Sequence, residues 1–192
     1  MSLRLSLPSL KEQFLSQRLY VHIVRECDAV PLHLFHLDNK EHLAPWDPPY
    51  PEGFFSESYW HAYCERAIQE FNDGISARYL LWLGEELVGS VNATSFEMGP
   101  FQNARLGYKV GAKFQGQGLA REGVAAVVSE LFRAGFHRVE ANYRPNNERS
   151  GKLLRALGFS EIGISENYLM IDGQWRDHML TAVTVESWKE EV

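Results

Sequence analysis

The sequence predicts an α/β fold in one domain spanning residues 1–192, built on a mixed, largely antiparallel sheet. Three observations predict it. A chain of 192 residues, 45% of them apolar, can bury one sizeable core but is short for two domains. Its first half holds alternating segments parted by turn residues, the pattern of strands joined by hairpins. Its second half holds a strand, a helix and a further strand in succession, a βαβ unit whose strands run parallel.

Taken in order, Leu19 to Val24 alternates between Arg18 and Arg25 and reads as a strand. A helix follows from about Asp28 to Leu37, with Pro31 near its first turn, where a missing N–H does no harm. His42 to Gly53 reads as a loop stiffened by Pro45, Pro48, Pro49 and Pro51, with Trp46 and Tyr50 between them: a packed lid or an acceptor wall. Ser56 can cap a helix reaching Phe71, with Trp60, Tyr63, Ala67 and Phe71 on one face and Gly74 as its stop. Tyr79 to Leu83 and Leu87 to Phe96, around Gly84-Glu85-Glu86, form a hairpin, and Ala104 to Val110 a further strand.

The period then changes. Ala120, Val124, Val127, Val128 and Leu131 share one helical face, and Gly135 ends that helix. A strand over Arg138 to Tyr143 and a helix over about Asn147 to Leu157, stopped by Gly158, lead to two strands around the hairpin signal Asp172-Gly173.

Composition narrows the function classes. A net charge of -6 argues against nucleic-acid binding, which needs clustered Lys and Arg. Two cysteines, Cys27 and Cys64, make no disulfide framework and point to a reducing compartment. Met1 to Leu15 lacks a charged-then-apolar signal pattern and no eighteen apolar residues run together. Export and membrane insertion are therefore not indicated, and the expected location is the cytoplasm.

The segment richest in chemistry is GAKFQGQGLAREG, Gly111 to Gly123, between a strand and a helix. Gly116 and Gly118 permit positive φ and close approach, so successive N–H groups can converge on an anion, and the helix start adds its own free N–H groups. A pyrophosphate fits such a loop; a ligand-free glycine turn is the alternative. The Gly-Lys-Ser/Thr ending of a triphosphate loop is missing, and so is a G-x-G-x-x-G dinucleotide fingerprint. The loop also follows antiparallel strands instead of opening a first βαβ unit.

Here the sequence resembles the GNAT acetyltransferase superfamily. Gln115, Gly118 and Ala120 match its Gln/Arg-x-x-Gly-x-Gly/Ala loop; Asn147 and Ser150 match Asn-x-x-Ser/Ala; Leu157, Gly158 and Phe159 match Leu-Gly-Phe. The resemblance implies helices on both faces of a sheet whose two central parallel strands splay apart. It implies acetyl-coenzyme A as co-substrate and no metal. The pyrophosphate would lie on Gln115, Gly116, Gln117, Gly118, Leu119, Ala120 and Arg121, and the pantetheine arm along backbone of Tyr108 and Val110, with Asn147 bonding it. The Val110 N–H would also hold the thioester oxygen as it gains charge.

ANYRPNNERSGKLLRALGF, LMIDGQWRDHMLTAVT and HLAPWDPP are similar, within that superfamily, to enzymes that acetylate ribosomal-protein N-termini. The implied partner is the N-terminal alanine of a small-subunit ribosomal protein, with no direct nucleic-acid or membrane contact and an oligomeric state left open. A small amine such as an amino acid, polyamine or aminoglycoside is the alternative acceptor. A module that holds the coenzyme without catalysis is the alternative from another class.

An α-amine, titrating near pKa 7.7 to 8.0, needs weaker base assistance than a lysine. Glu97 and Glu140 are candidate bases or plain surface carboxylates. Where many relatives carry a tyrosine four residues before the Leu-Gly-Phe glycine, this chain has Leu154, which leaves the proton donor to the departing sulfur open. Ser150 either fills that role or satisfies N–H groups at a helix start. Asp177 and His178, adjacent on a strand, point to opposite faces and make no dyad. His33 and His36 lack a third ligand and read as solvated surface. Trp175 and Arg176 read as a packed aromatic with a neighbouring charge, while Trp46 is the candidate acceptor wall.

Overall fold

A computed structural model describes residues 9–189; of the segment Met1 to Leu15, residues 1–8 lie outside the described residues. Among the described residues eight strands form one sheet in the order β1-β2-β3-β4-β5-β6-β8-β7. The strands are β1 (Gln13–Leu15), β2 (Tyr20–Ile23), β3 (Ala77–Leu83), β4 (Glu86–Glu97), β5 (Asn103–Val110), β6 (Arg138–Ala141), β7 (Ser160–Ile171) and β8 (Gln174–Thr184). The helices are α1 (Ala29–Asp38), α2 (Lys40–Leu43), α3 (Glu57–Asn72), α4 (Leu119–Arg133) and α5 (Glu148–Ala156). Of these strands only β5 and β6 run parallel.

The period-two alternation of β3 sorts its side chains onto two cores. Ala77, Tyr79 and Leu81 face α4, whose Val124, Val127, Val128 and Leu131 are all buried. Leu80 faces α1 and α3 with Leu32, Trp60, Cys64 and Ala67. Gly123 lets α4 press onto the sheet, since a Cβ there would stand 2.4 Å from Leu81 Cδ1. As expected, Ser56 caps α3 by accepting the Tyr59 N–H at 3.3 Å.

Several expectations need correction. Residues Gln13–Leu15 add an edge strand that three residues of sequence are too short to announce. His42 belongs to the short helix α2, so the proline-rich loop starts later than its composition suggested. Leu119 is buried at the head of the α4 face, whereas Ala120 is half-buried. His36 is not solvated surface. It is 6% exposed and stacked on Trp60 at 4.2 Å, and burial followed by the nearby Lys109 charge pushes its pKa down to about 4. His33, at helical spacing from it, is half-buried and bonds the Phe55 carbonyl through Nε2 at 3.0 Å.

Candidate active-site cleft

β5 and β6 pair from Asn103↔Arg138 only as far as Leu106↔Ala141, while β5 continues, paired with β4, to Val110↔Gly89. The two central strands therefore part after four residues. The polarity of the freed edge follows from the ladder. Gly111 N–H donates to Val88 C=O on the β4 side, and Gln102 C=O accepts from His137 and Arg138 on the β6 side. Main-chain groups alternate edges residue by residue, so those of Tyr108 and Val110 point into the gap, with no β6 partner. An extended ligand can take the place of the missing strand there.

The gap leads into the glycine loop. Gly116 and Gly118 have φ of +73° and +77°, and a Cβ on Gly116 would meet nothing within 4 Å. The first bond within α4 is donated by Glu122 N–H to Gly118 C=O at 3.0 Å, so the N–H groups of Leu119 and Ala120 precede the intrahelical ladder. Arg121, Arg149 and Lys152 line the same cleft. An open cradle of N–H groups and cations at the end of a free strand edge fits a long ligand with a pyrophosphate at one end.

The residues that the sequence proposed for coenzyme, chemistry and acceptor wall line this one cleft except Gln117, which stands on the loop with its side chain folded back to Lys113 C=O at 2.8 Å; of the two candidate bases Glu140 lines it and Glu97 does not. Asn147 caps α5, its Oδ1 accepting the Ser150 N–H at 3.2 Å. Ser150 Oγ is thereby released from capping and lies 2.5 Å from the Tyr108 hydroxyl. Burial pushes the Tyr108 phenol up to about 12, which keeps its proton in place. The side chain of Tyr108 was missed in the sequence because only its backbone had a role there.

Gln115 is tied by its side chain, its Oε1 accepting from Arg149 and its Nε2 lying 2.9 Å from His42 Nε2. His42 Nε2 also lies 3.2 Å from Val110 C=O, but one ring nitrogen cannot accept from Gln115 and donate to Val110 at once. The Arg149 bond turns the Gln115 NH₂ toward His42, so the imidazole accepts and Val110 C=O stays available to the gap.

Beyond the gap, on the α1 and α3 side of the sheet, the cleft is walled by Trp46, Asn92, Thr94, Glu140, Asn142, Tyr168 and His178. Asp47 is locked to Lys109 Nζ at 2.8 and 2.9 Å, and Glu140 lies 3.0 Å from Arg138 and 3.5 Å from Arg105. Glu97 sits 4.0 Å from Arg105. Of the cleft carboxylates, Asp47 and Glu140 are thus already paired, and Glu148 lies 3.5 Å from Lys152. Trp46, with the Arg144 guanidinium 5.6 Å from its ring, lines the cleft and is partly exposed. Trp175 is 58% exposed instead of packed, because it lies near the hairpin tip beyond the main core.

A GNAT acetyltransferase domain model matches residues 18–160. The chain belongs to the GNAT acetyltransferase family. GNAT relatives include the ribosomal protein uS5-alanine N-acetyltransferase of Escherichia coli (strain K12), 39% identical over 182 residues that make up 93% of each chain. The ribosomal-protein-S5-alanine acetyltransferase of Vibrio fischeri superposes with a TM-score of 0.87 at 30% identity, covering 93% of this chain and all of that one. RimJ of Mycobacterium smegmatis, solved in complex with CoA-disulfide, gives 0.84 at 31% identity over 88% and 82% of the two chains. Among the described residues no cluster suited to a metal occurs, and no helix is long and apolar enough to cross a membrane.

Proposed function

We propose that this chain, working as a single acetyltransferase domain in the cytoplasm, acetylates the N-terminal α-amine of a ribosomal protein that begins with alanine. The observation that carries the reading is the freed β5 edge, continuous at one end with the Gly116 to Arg121 loop and at the other with a cleft open to solvent. Acetyl-coenzyme A, when bound, supplies the acetyl thioester. Tyr108 and Val110 hold its arm by main-chain bonds with help from Asn147, and Gln115, Gly116, Gln117, Gly118, Leu119, Ala120 and Arg121 hold its pyrophosphate.

Val110 N–H serves as the donor to a developing oxyanion, a contribution of about 3 kcal/mol in comparable sites. Ser150 Oγ serves as the donor to the leaving sulfur. Its 2.5 Å contact with the Tyr108 hydroxyl, which keeps its proton and can donate to Ser150 Oγ, frees the serine O–H to point at the sulfur, the function left open by Leu154. Trp46 forms one wall for the acceptor. A polyamine or aminoglycoside is disfavoured because the cleft carboxylates Asp47 and Glu140 are already neutralised by Lys109, Arg105 and Arg138.

The test is thiol release from acetyl-coenzyme A with peptides that differ only in residue one. Alanine-ended peptides should react fastest. Reaction with lysine side chains or small amines alone would overturn the assignment of acceptor, and coenzyme binding without thiol release would overturn the assignment of chemistry.

A further inference from the structure

The cleft contains one imidazole that neither the motifs nor the coenzyme-binding elements use. His178 on β8 is 6% exposed as a residue and lines the acceptor side of the cleft. Its Nδ1 lies 3.1 Å from the Arg176 carbonyl. A carbonyl can only accept, so that contact requires the proton on Nδ1, and the lone pair is left on Nε2. Nε2 has no hydrogen-bond partner among the described residues.

The surroundings hold the ring in that form. On β7, Tyr168 packs its ring 5.2 Å from the imidazole and accepts a hydrogen bond at 2.9 Å from Asn142 Nδ2. The Asn142 Oδ1 accepts the Thr181 N–H at 3.2 Å, which ties this wall to β8. The charges acting on the ring are Arg144, beyond β6, which opposes protonation, and Asp177, which favours it. Asp177 is turned away, accepting the Asn167 N–H at 2.9 Å. Burial and Arg144 together outweigh Asp177 and the Arg176 bond and hold the His178 pKa below the usual range, so the ring is neutral at physiological pH.

We infer that His178 Nε2 is the proton acceptor that turns the incoming α-ammonium into a nucleophilic amine, directly or through one water. This rests on the reading of the cleft as a site for N-terminal acetylation. The proton balance is simple. The ammonium N–H bond breaks, its electron pair stays on nitrogen, an Nε2–H bond forms, and the imidazolium returns the proton to solvent. Acetylation of an ammonium sheds two protons in all; the leaving thiol keeps one and this route carries the other. Glu97 and Glu140, the carboxylates that sequence alone offered for the task, both lie against guanidinium groups.

The experiment follows kcat/KM for an alanine-ended peptide against pH in the parent, His178→Gln and His178→Ala. A free α-amine titrates near pKa 7.7 to 8.0. The parent, able to use the ammonium, should hold its rate down to about pH 6.5, whereas His178→Gln should depend on the free amine and lose about tenfold for each unit below that range. Added imidazole should restore part of the His178→Ala rate at low pH. Coenzyme affinity by calorimetry should stay within about twofold, since the substitution lies away from the loop.

Nitrogen NMR of the free protein supplies a readout apart from activity: an Nδ1-protonated tautomer that titrates below the usual histidine range. A His178→Gln profile parallel to the parent's, or an Nε2-protonated tautomer, overturns the inference and leaves the acetylation reading intact. A parent that acetylates no α-amine removes both.

Discussion

Glu122 offers the sharpest test of how the pyrophosphate loop is held. Standing in the first turn of α4, its Oε1 accepts from Ser16 Oγ and Arg18 N–H, both at 2.6 Å, and from Leu19 N–H at 3.2 Å, while Oε2 accepts from Arg18 Nε at 2.7 Å. Arg18 also donates to the Gln117 carbonyl at 3.1 Å, so one carboxylate pins the segment before β2 to the loop. A hydrogen bond to a charged acceptor contributes about 1.5 to 3 kcal/mol, but Arg18 is half exposed and Leu19 N–H has a second acceptor in Ser16. Glu122→Ala should therefore cost about 3 kcal/mol net of alanine's better helix propensity.

Glu122→Gln keeps the oxygen that receives three of these bonds and loses the screened pair with Arg18, a cost of about 1 kcal/mol. Urea denaturation of the three proteins measures both values, and for a chain of this size about 3 kcal/mol is a fall of roughly 6 to 12 °C in Tm. The pH dependence is fixed in sign. Burial alone would raise the Glu122 pKa, but the bonds from Ser16 and Arg18 outweigh it and hold the carboxyl below its usual range. A depressed carboxyl stabilises above its unfolded pKa, and that stabilisation is lost as pH falls through the folded pKa. The gap between parent and Glu122→Gln should be full at neutral pH and close in acid. Equal stability of the Ala and Gln variants would refute the account.

Gly89→Ala should destabilise more than Gly123→Ala. Its Cβ would stand 2.1 Å from the Lys109 carbonyl oxygen, a main-chain atom in the ladder, whereas at Gly123 it meets a leucine side chain; thermal melts should give more than about 3 kcal/mol against about 1 to 3. Gly116→Ala faces open space, so its folding cost should be only the left-handed backbone, about 1 to 2 kcal/mol, while calorimetry should show coenzyme binding weakened about tenfold. Ser150→Ala should lower turnover at saturating substrates by about 100-fold, and Tyr108→Phe by a smaller factor, both with stability changes under about 2 kcal/mol. Parental turnover in Ser150→Ala would remove that residue from the chemistry.

What the sequence disclosed and what it withheld divide along physical lines. The strands of β3 to β5, the α4 face and the Asp172-Gly173 hairpin rest on local periodicity and turn chemistry, which act within a few residues. So do the Gly116 and Gly118 bends, whose φ values are those the loop pattern required. The unread parts depend on residues far apart in the chain. Ser150 and Tyr108 are 42 positions apart, and only the fold brings their hydroxyls together. A strand turns Asp177 and His178 to opposite faces, which separates the pair but does not tell from sequence which face looks into the cleft. The burial of His36 is equally illegible locally, since the weak helical pattern of α1 gives no sign that Trp60, on another helix, covers it.

The early end of the β5–β6 pairing has one further consequence. A sheet normally keeps its open edges at its two sides, where charges and short strands guard against pairing with another chain. Here an edge opens in the middle, at Tyr108 and Val110, and its protection has to be spatial. On one bank the loop after α2 is anchored to β5 through Asp47 and Lys109; on the other, Arg144 donates to the Pro45 carbonyl at 2.7 Å and stacks near Trp46. The loop thereby straddles the slot like a bridge. Its prolines have no N–H to offer a ladder, so a trespassing strand gains little from it. The proline-rich loop is in this sense a safeguard against aggregation, and shortening it should make the protein sticky before it makes it slow.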